Sequence, residues 1–69
     1  RQIALRCVLP YALEGLVRRE LELARATLGE VQHGTLVEMA LVVAEPDAAG
    51  LRARLGEAGH GQIVWIDPD

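Results

Sequence analysis

The stretch LVEMALVVA, Leu36 to Ala44, is the longest apolar run in the chain and decides its fold. Every second residue from Val37 to Val43 is apolar, whereas the alternate positions are small or aliphatic and include the charged Glu38. One wholly apolar face and one mixed face are typical of a strand in a sheet that is covered on one side only. The β-branched side chains and the length of the run favour this strand over a buried helix.

Two elements precede this strand. Gln2 to Leu9 alternates apolar and mixed positions and predicts a second half-covered strand, which ends at Pro10 because proline cannot donate to a ladder. Tyr11 to Leu23 has helical spacing, with Glu20 as the one polar residue on its apolar stripe. That stripe consists of Leu13, Leu16, Val17 and Leu21, and Glu14 and Arg18 form an i,i+4 pair beside it.

The segment after the helix allows two interpretations. The helical period continues as far as Leu28 and stops at Gly29, but a strand from Arg25 to His33 supplies the neighbour that the central strand needs. We predict the strand, and we expect it at the edge of the sheet because a glycine inside a strand weakens it. His33-Gly34 resembles a tight hairpin turn in which Gly34 takes a positive φ.

The remaining residues predict a second helix and a last strand. Pro46 suits the first helical position, and the stripe of Ala48, Leu51, Leu55 and Ala58 indicates a helix that ends at Gly59 to Gly61. Gln62 to Ile66 predicts a short strand, and Asp67 to Asp69 a polar tail. The resulting order is β-α-β-β-α-β, a ferredoxin-like α+β fold with a four-stranded antiparallel sheet. Right-handed crossovers put the first and third strands in the centre and both helices on one face.

Composition narrows the class of protein. The 69 residues allow a single domain, and we take the chain for a piece of a longer protein because it begins with Arg1. The net charge of −3 weighs against a nucleic-acid partner. Serine and lysine are absent, which removes two types of nucleophile. A single cysteine and no apolar run long enough to span a bilayer lead us to expect a cytoplasmic protein without a membrane partner.

Several segments together carry a family resemblance: LEGLVRREL at Leu13 to Leu21, HGTLVEMALVV at His33 to Val43, Glu45-Pro46-Asp47 before Leu51 and Leu55, and Gly61 before the last strand. With them the sequence resembles the small C-terminal domain of bacterial YigZ-like proteins of the IMPACT family. His33 stands where the family's Tyr-Gly-x-x-Val pattern has tyrosine, and Val37 matches its valine.

The resemblance implies a fold more than an activity. Such domains look ferredoxin-like, are similar in shape to C-terminal domains of elongation factor G, and follow an N-terminal domain. Eukaryotic IMPACT relatives are associated with translational control, but that association belongs to their N-terminal part. A role in binding nucleic acid or ribosomes is therefore an analogy at the level of the fold.

No pattern in the sequence indicates catalysis or a cofactor. Cys7 lies on the apolar face of the first strand and is interpreted as a small buried hydrophobe. His33 and His60 flank glycines and are expected to face solvent in turns. These three residues lack the spacing of a metal site, and the acids form no catalytic pair. We therefore predict no catalytic residues, no metal site, no cofactor and no enzyme activity.

The mixed faces of the two central strands are the candidate interaction surface. They carry Arg6, Glu38, Ala40 and Val42, with no aromatic residue on which an RNA base would stack. Arg6 and Glu38 are expected to face each other and neutralise one another. Trp65 is added because a tryptophan on a terminal strand packs against a helix or a neighbouring domain, or forms a binding hot spot.

We therefore expect an accessory domain that docks protein through this open sheet face. The partner is its own N-terminal domain, a second copy, or a ribosomal or other translation component. One alternative is weak RNA or ribosome binding through surface arginines, namely Arg18, Arg19, Arg25, Arg52 and Arg54. Another is a small-molecule regulatory domain, although the sequence contains no phosphate-binding loop or other ligand motif.

Overall fold

A computed structural model describes residues 1–66 of the chain and confirms the predicted order of elements. The strands are β1 (Gln2–Leu9), β2 (Thr27–His33), β3 (Val37–Ala44) and β4 (Val64–Ile66). The helices are α1 (Glu14–Leu23), preceded by a 3₁₀ turn at Tyr11–Leu13, and α2 (Glu45–Ala58). The polar tail expected at residues 67–69 lies outside the described part of the chain.

The sheet has the strand order β2-β3-β1-β4, and all its pairings are antiparallel. β1 and β3 are the central strands, paired along their full length from Gln2 opposite Ala44 to Leu9 opposite Val37. This arrangement confirms the predicted ferredoxin-like topology and places the two alternating sequences side by side.

The core lies between one face of this sheet and the two helices. The predicted apolar face of β3 is confirmed, because Val37, Met39, Leu41 and Val43 are each at most 1% exposed. Cys7 and Leu9 of β1 join them from the neighbouring strand. The helices cover this layer with buried residues from both apolar stripes, namely Val17 and Leu21 of α1 and Ala48, Leu51 and Leu55 of α2.

The hairpin between β2 and β3 differs from the prediction. Leu36 lies in the turn rather than in the strand, so that residues 34–36 connect His33 to its partner Val37. The prediction of a positive φ at Gly34 was wrong, since among the described glycines only Gly61 has one. The prediction assumed a tight two-residue turn, whereas the connection is three residues long. Instead, the Gly34 N–H donates to the Leu36 carbonyl at 3.0 Å.

The end of α1 explains why β2 begins two residues later than predicted. Arg25 has a φ of 59°, the Arg25 N–H donates to the Glu22 carbonyl, and the Ala26 N–H donates to the Leu21 carbonyl. These are the two hydrogen bonds of a Schellman motif, which stops a helix by turning one residue into the left-handed region. Because Arg25 occupies that position, the strand starts only at Thr27.

The same motif ends α2 at Ala58, with His60 in the left-handed position at a φ of 52°. The N–H groups of His60 and Gly61 donate to the carbonyls of Glu57 and Gly56. His60 is exposed in this turn, as predicted. The last strand is shorter than predicted, because pairing with β1 begins only at Val64.

Two further details concern the edge strand and the start of the second helix. β2 is an edge strand, as predicted, and a bulge between Leu28 and Val31 interrupts its register with β3. The second helix begins one residue earlier than predicted, at Glu45, with Pro46 in the first turn, where a missing N–H costs no helical hydrogen bond. The Glu45 N–H donates to the Arg1 carbonyl at 2.7 Å, which joins the start of α2 to the start of β1.

Candidate interaction surface

The side of the sheet that faces away from the helices is called the open face here. Strand registers define it, because directly opposed residues in antiparallel strands point to the same side. By these registers its twelve members are Gln2, Ala4, Arg6 and Val8 of β1, Thr27 and Gln32 of β2, Glu38, Ala40, Val42 and Ala44 of β3, and Val64 and Ile66 of β4. Seven of the twelve are apolar, three are uncharged polar residues, and the two charged members have opposite signs.

Arg6 and Glu38 form the predicted ion pair across the two central strands. Arg6 Nη1 donates to Glu38 Oε2 at 2.8 Å. Glu38 lies opposite Val8, two residues along β1 from Arg6, so the contact runs diagonally over the sheet. The two side chains remain 42% and 33% exposed, and such a pair stabilises a fold by at most about 1 kcal/mol. Its main effect is that the guanidinium charge of Arg6 is balanced by the Glu38 carboxylate.

Four of the five predicted surface residues lie together, and the fifth does not. Arg6, Glu38, Ala40 and Val42 share the open face, whereas Trp65 lies opposite Cys7 and points to the helix side. The Arg52 guanidinium carbon is 5.1 Å from the centre of the Trp65 ring, a cation–π distance. Trp65 therefore packs against α2, the first of the roles expected for it, and does not extend the open face.

Two residues of β4 belong to the open face and were missed. Val64 is 58% exposed and Ile66 is 39% exposed, opposite Val8 and Arg6 respectively. The sequence does indicate that Val64 and Ile66 share one side of the sheet, because successive residues of a strand point to opposite sides and Trp65 lies between them. The sequence does not reveal which of the two sides meets the helices, since that depends on the register with β1.

The arginines of the nucleic-acid alternative lie away from the open face, and three of the five have partners within the chain. Arg18 Nη2 is 3.1 Å from Glu14 Oε2, and Arg54 Nε is 3.2 Å from Glu20 Oε1. The latter contact joins α2 to α1. Arg52 lies over Trp65, Arg25 occupies the turn after α1, and Arg19 lies on an exposed side of α1. The paired arginines have part of their charge balanced by neighbouring carboxylates.

Cys7 is fully buried, in agreement with its interpretation as a small hydrophobe. Burial raises the pKa of its thiol to about 11, because the charged thiolate is poorly solvated inside the core. The thiolate is the reactive form, so Cys7 is a weak nucleophile at neutral pH.

His33 takes part in a small polar cluster at the rim of the helix side. Its Nε2 lies 3.0 Å from Glu14 Oε2, the atom that also receives Arg18, and its ring centre is 5.7 Å from that of Tyr11. The Tyr11 hydroxyl donates to the Gly34 carbonyl at 2.6 Å. The hydrogen bond from His33, followed by that from Arg18, lowers the pKa of Glu14. This cluster ties the hairpin turn to the start of α1, although His33 remains exposed as predicted.

Residues 1–66 contain no group of three or more His, Cys, Asp or Glu side chains that could hold a metal ion. Neither described helix has the length and apolar character needed to cross a bilayer.

The family model DUF1949, described as a domain of unknown function, matches residues 7–62. The match covers both helices, β2, β3 and the last three residues of β1. It ends before β4, so the described strand that carries Val64 and Ile66 lies beyond it. No curated protein matches the chain.

Proposed function

The chain belongs to the DUF1949 family, a domain found at the C-terminus of YigZ-like proteins of the IMPACT family, and from that premise we propose a non-catalytic accessory domain that docks protein through its open face. In this proposal any role in translation belongs to the complete protein, and this domain contributes a contact. The proposal places that protein in the cytoplasm, in keeping with a cysteine that is buried and unpaired.

The observation that carries the proposal is the chemistry of the open face. Its apolar side chains extend over β1, β3 and β4, with Val64 and Ile66 well exposed at one end. A connected apolar surface of this kind is more typical of a site that contacts protein than of a surface that faces solvent. Arg6, the cation on its two central strands, is already bonded to Glu38, so these strands add no unpaired positive charge that would attract a polyanion.

The size of the face favours a partner on the same polypeptide. Four strands spaced about 4.8 Å apart, each up to about 26 Å long, give a face of roughly 500 Å². A contact that covers it buries about 1,000 Å² in total, within the range of domain interfaces inside one chain. Stable complexes between separate chains bury about 1,200–2,000 Å². A tethered partner needs less area because its effective concentration reaches the millimolar range. We therefore propose that the occupant is the N-terminal part of the parent protein.

The test is hydroxyl-radical footprinting of the complete parent protein, read by mass spectrometry at single residues. Docking predicts low modification of Val64 and Ile66 despite the exposure of both side chains in this domain. Leu23 is the control inside the same molecule, because it is 70% exposed at the end of α1 and lies away from the open face. We expect it to react several times faster per exposed area than the two β4 residues.

Three outcomes separate the possible partners. Protection that does not change with protein concentration supports docking within one chain. Protection that appears only as concentration rises indicates a second copy and contradicts the proposed occupant. Reaction of Val64 and Ile66 at the rate of Leu23 at every concentration contradicts docking in the purified protein altogether.

A further inference from the structure

A depression of about 320 Å³ lies on the open face, and its shape restricts what can dock there. Its lining is almost entirely apolar and comes from all four strands: Ala4 and Arg6 of β1, Gly29 of β2, Ala40 and Val42 of β3, and Ile66 of β4. The backbone of the core strands forms the floor where these side chains are small.

Strand registers explain why the depression crosses the strands instead of following them. Ile66, Arg6 and Ala40 form one row across β4, β1 and β3, and Ala4 and Val42 form the next. Gly29 extends the first row into β2, where a Cβ atom would come 3.3 Å from the Ala40 carbonyl oxygen. Alanine and glycine at neighbouring positions on three adjacent strands leave this depression, called the trough below. A larger residue at any of these positions would fill it.

The ion pair keeps this trough accessible. Arg6 is the only long side chain on the row, and its hydrogen bond to Glu38 directs the guanidinium towards the Val8 end of β1. The arginine is thereby held away from Ala4, which remains exposed. The pair thus borders one side of the trough and offers both a donor and an acceptor there.

We propose that this depression receives an aliphatic anchor side chain from the docking segment of the same polypeptide, with polar groups of that segment bonded to Arg6 and Glu38 at its border. The inference rests on the docking role proposed above and specifies the chemistry of the contact. An aliphatic anchor fits because the lining is apolar and the described part of the open face has no aromatic ring for stacking. A few side chains packed in desolvated pockets carry most of the binding energy of an interface, so a pocket filled in advance should weaken docking.

The test fills the depression without adding charge. Ala4→Leu and Ala40→Leu each place a large aliphatic group in the trough, and Ala53→Leu makes the same change at an exposed residue of α2, away from the open face. All three are made in the complete protein, and retention of the wild-type circular dichroism spectrum shows that the fold is intact. Ala4 is exposed, so its replacement disturbs no core contact.

Footprinting of Ile66 and the radius of gyration from solution X-ray scattering report docking. We expect each of the two filling variants to lower the ratio of docked to undocked protein about tenfold or more, as loss of an anchor contact does, and Ala53→Leu to leave it near wild type. If Ile66 is protected in the wild type and neither filling variant changes its protection, the anchor inference is wrong and docking stands. An Ile66 that is unprotected in the wild type contradicts docking itself.

Discussion

The two sides of β3 come from alternate residues of one strand, yet they differ in side-chain size and in burial. The helix side carries Val37, Met39, Leu41 and Val43, all essentially inaccessible to solvent. The open side carries Glu38, Ala40, Val42 and Ala44, all half-buried. The first set fills the space under two helices, whereas the second is small enough to leave a depression over the central strands.

This difference indicates that the two sides of β3 have different roles, one in stability and one in contact with a partner. The large residues supply the apolar burial on which a chain of 69 residues depends, since small domains bury a low fraction of their surface. The small residues contribute little to that burial, so they are free to shape a contact surface. Substitutions on the two sides should therefore separate stability from docking.

The largest expected effect comes from a matched pair of truncations in β3. Leu41→Ala removes a fully buried side chain and should lower the free energy of unfolding by about 2–5 kcal/mol, because the cavity cannot close completely. Val42→Ala, at the next residue on the open side, should cost less than about 1 kcal/mol. Urea unfolding followed by circular dichroism gives both values.

Unequal effects would sharpen the comparison between the sides. Equal losses of stability for the two variants would show that the open side is part of the core. The assignment of stability to one side of β3 and docking to the other would then be wrong. A domain that is unfolded in Leu41→Ala but native in Val42→Ala satisfies the prediction in its strongest form, because a domain of this size has little stability to lose.

The second effect concerns how closely the helix side is packed at the end of α2. A Cβ atom at Gly59 would lie 2.7 Å from Ile63 Cδ1 and 3.0 Å from the Leu55 carbonyl oxygen. Gly59→Ala should therefore destabilise the domain by about 1–3 kcal/mol, the usual cost of overpacking. Gly56→Ala is the control, because nothing lies within 4 Å of its Cβ position and alanine favours a helix by up to about 1 kcal/mol.

Thermal unfolding of both variants measures this difference in sign. A loss of stability at Gly59 together with a gain at Gly56 shows that the covered side is filled up to its last helical turn. Stabilisation by both substitutions would mean that the contact between α2 and Ile63 is loose.

The fold could be predicted from the sequence wherever residues of one period dominate. The alternation in residues 37–44 specified β3 and its buried side, and the helical spacing specified the stripes of α1 and α2. The turns that end the helices and connect the strands could not be predicted in the same way. Arg25 and His60 take left-handed conformations that favour glycine, and packing of the whole domain selects where each helix turns. The prediction of a positive φ at Gly34 was wrong because the length of the turn depends on the register of the hairpin.

The candidate surface was predicted where pairing of the central strands was enough to place it. Arg6 and Glu38 met because the topology makes β1 and β3 neighbours. Trp65 was included in this surface although it packs against α2, the first of the roles expected for it, and Val64 and Ile66 were missed. The register of a three-residue strand is set by its contacts with the rest of the fold, which the sequence does not show.

The smallest expected effect is electrostatic and lies at the rim of the helix side. Hydrogen bonds from His33 and Arg18 hold the pKa of Glu14 below its ordinary value of 4.5. A carboxyl group with a lowered pKa in the folded state stabilises the fold above its ordinary pKa, and that stabilisation is lost as the pH falls through the folded value. Removal of the charge should therefore matter at neutral pH and cease to matter in acid.

Glu14→Gln tests this sign directly. Its urea midpoint should lie slightly below that of the wild type at neutral pH, and the two should converge in acid as the pH falls through the lowered pKa of Glu14 and the wild-type carboxylate becomes protonated. Glu22→Gln on the same helix is the matched control, because Glu22 is exposed and lies outside the His33 cluster. A gap between wild type and Glu14→Gln that widens in acid would show that the cluster does not stabilise the ionised carboxylate, and the contact between hairpin and helix would then rest on Tyr11 and its bond to Gly34 alone.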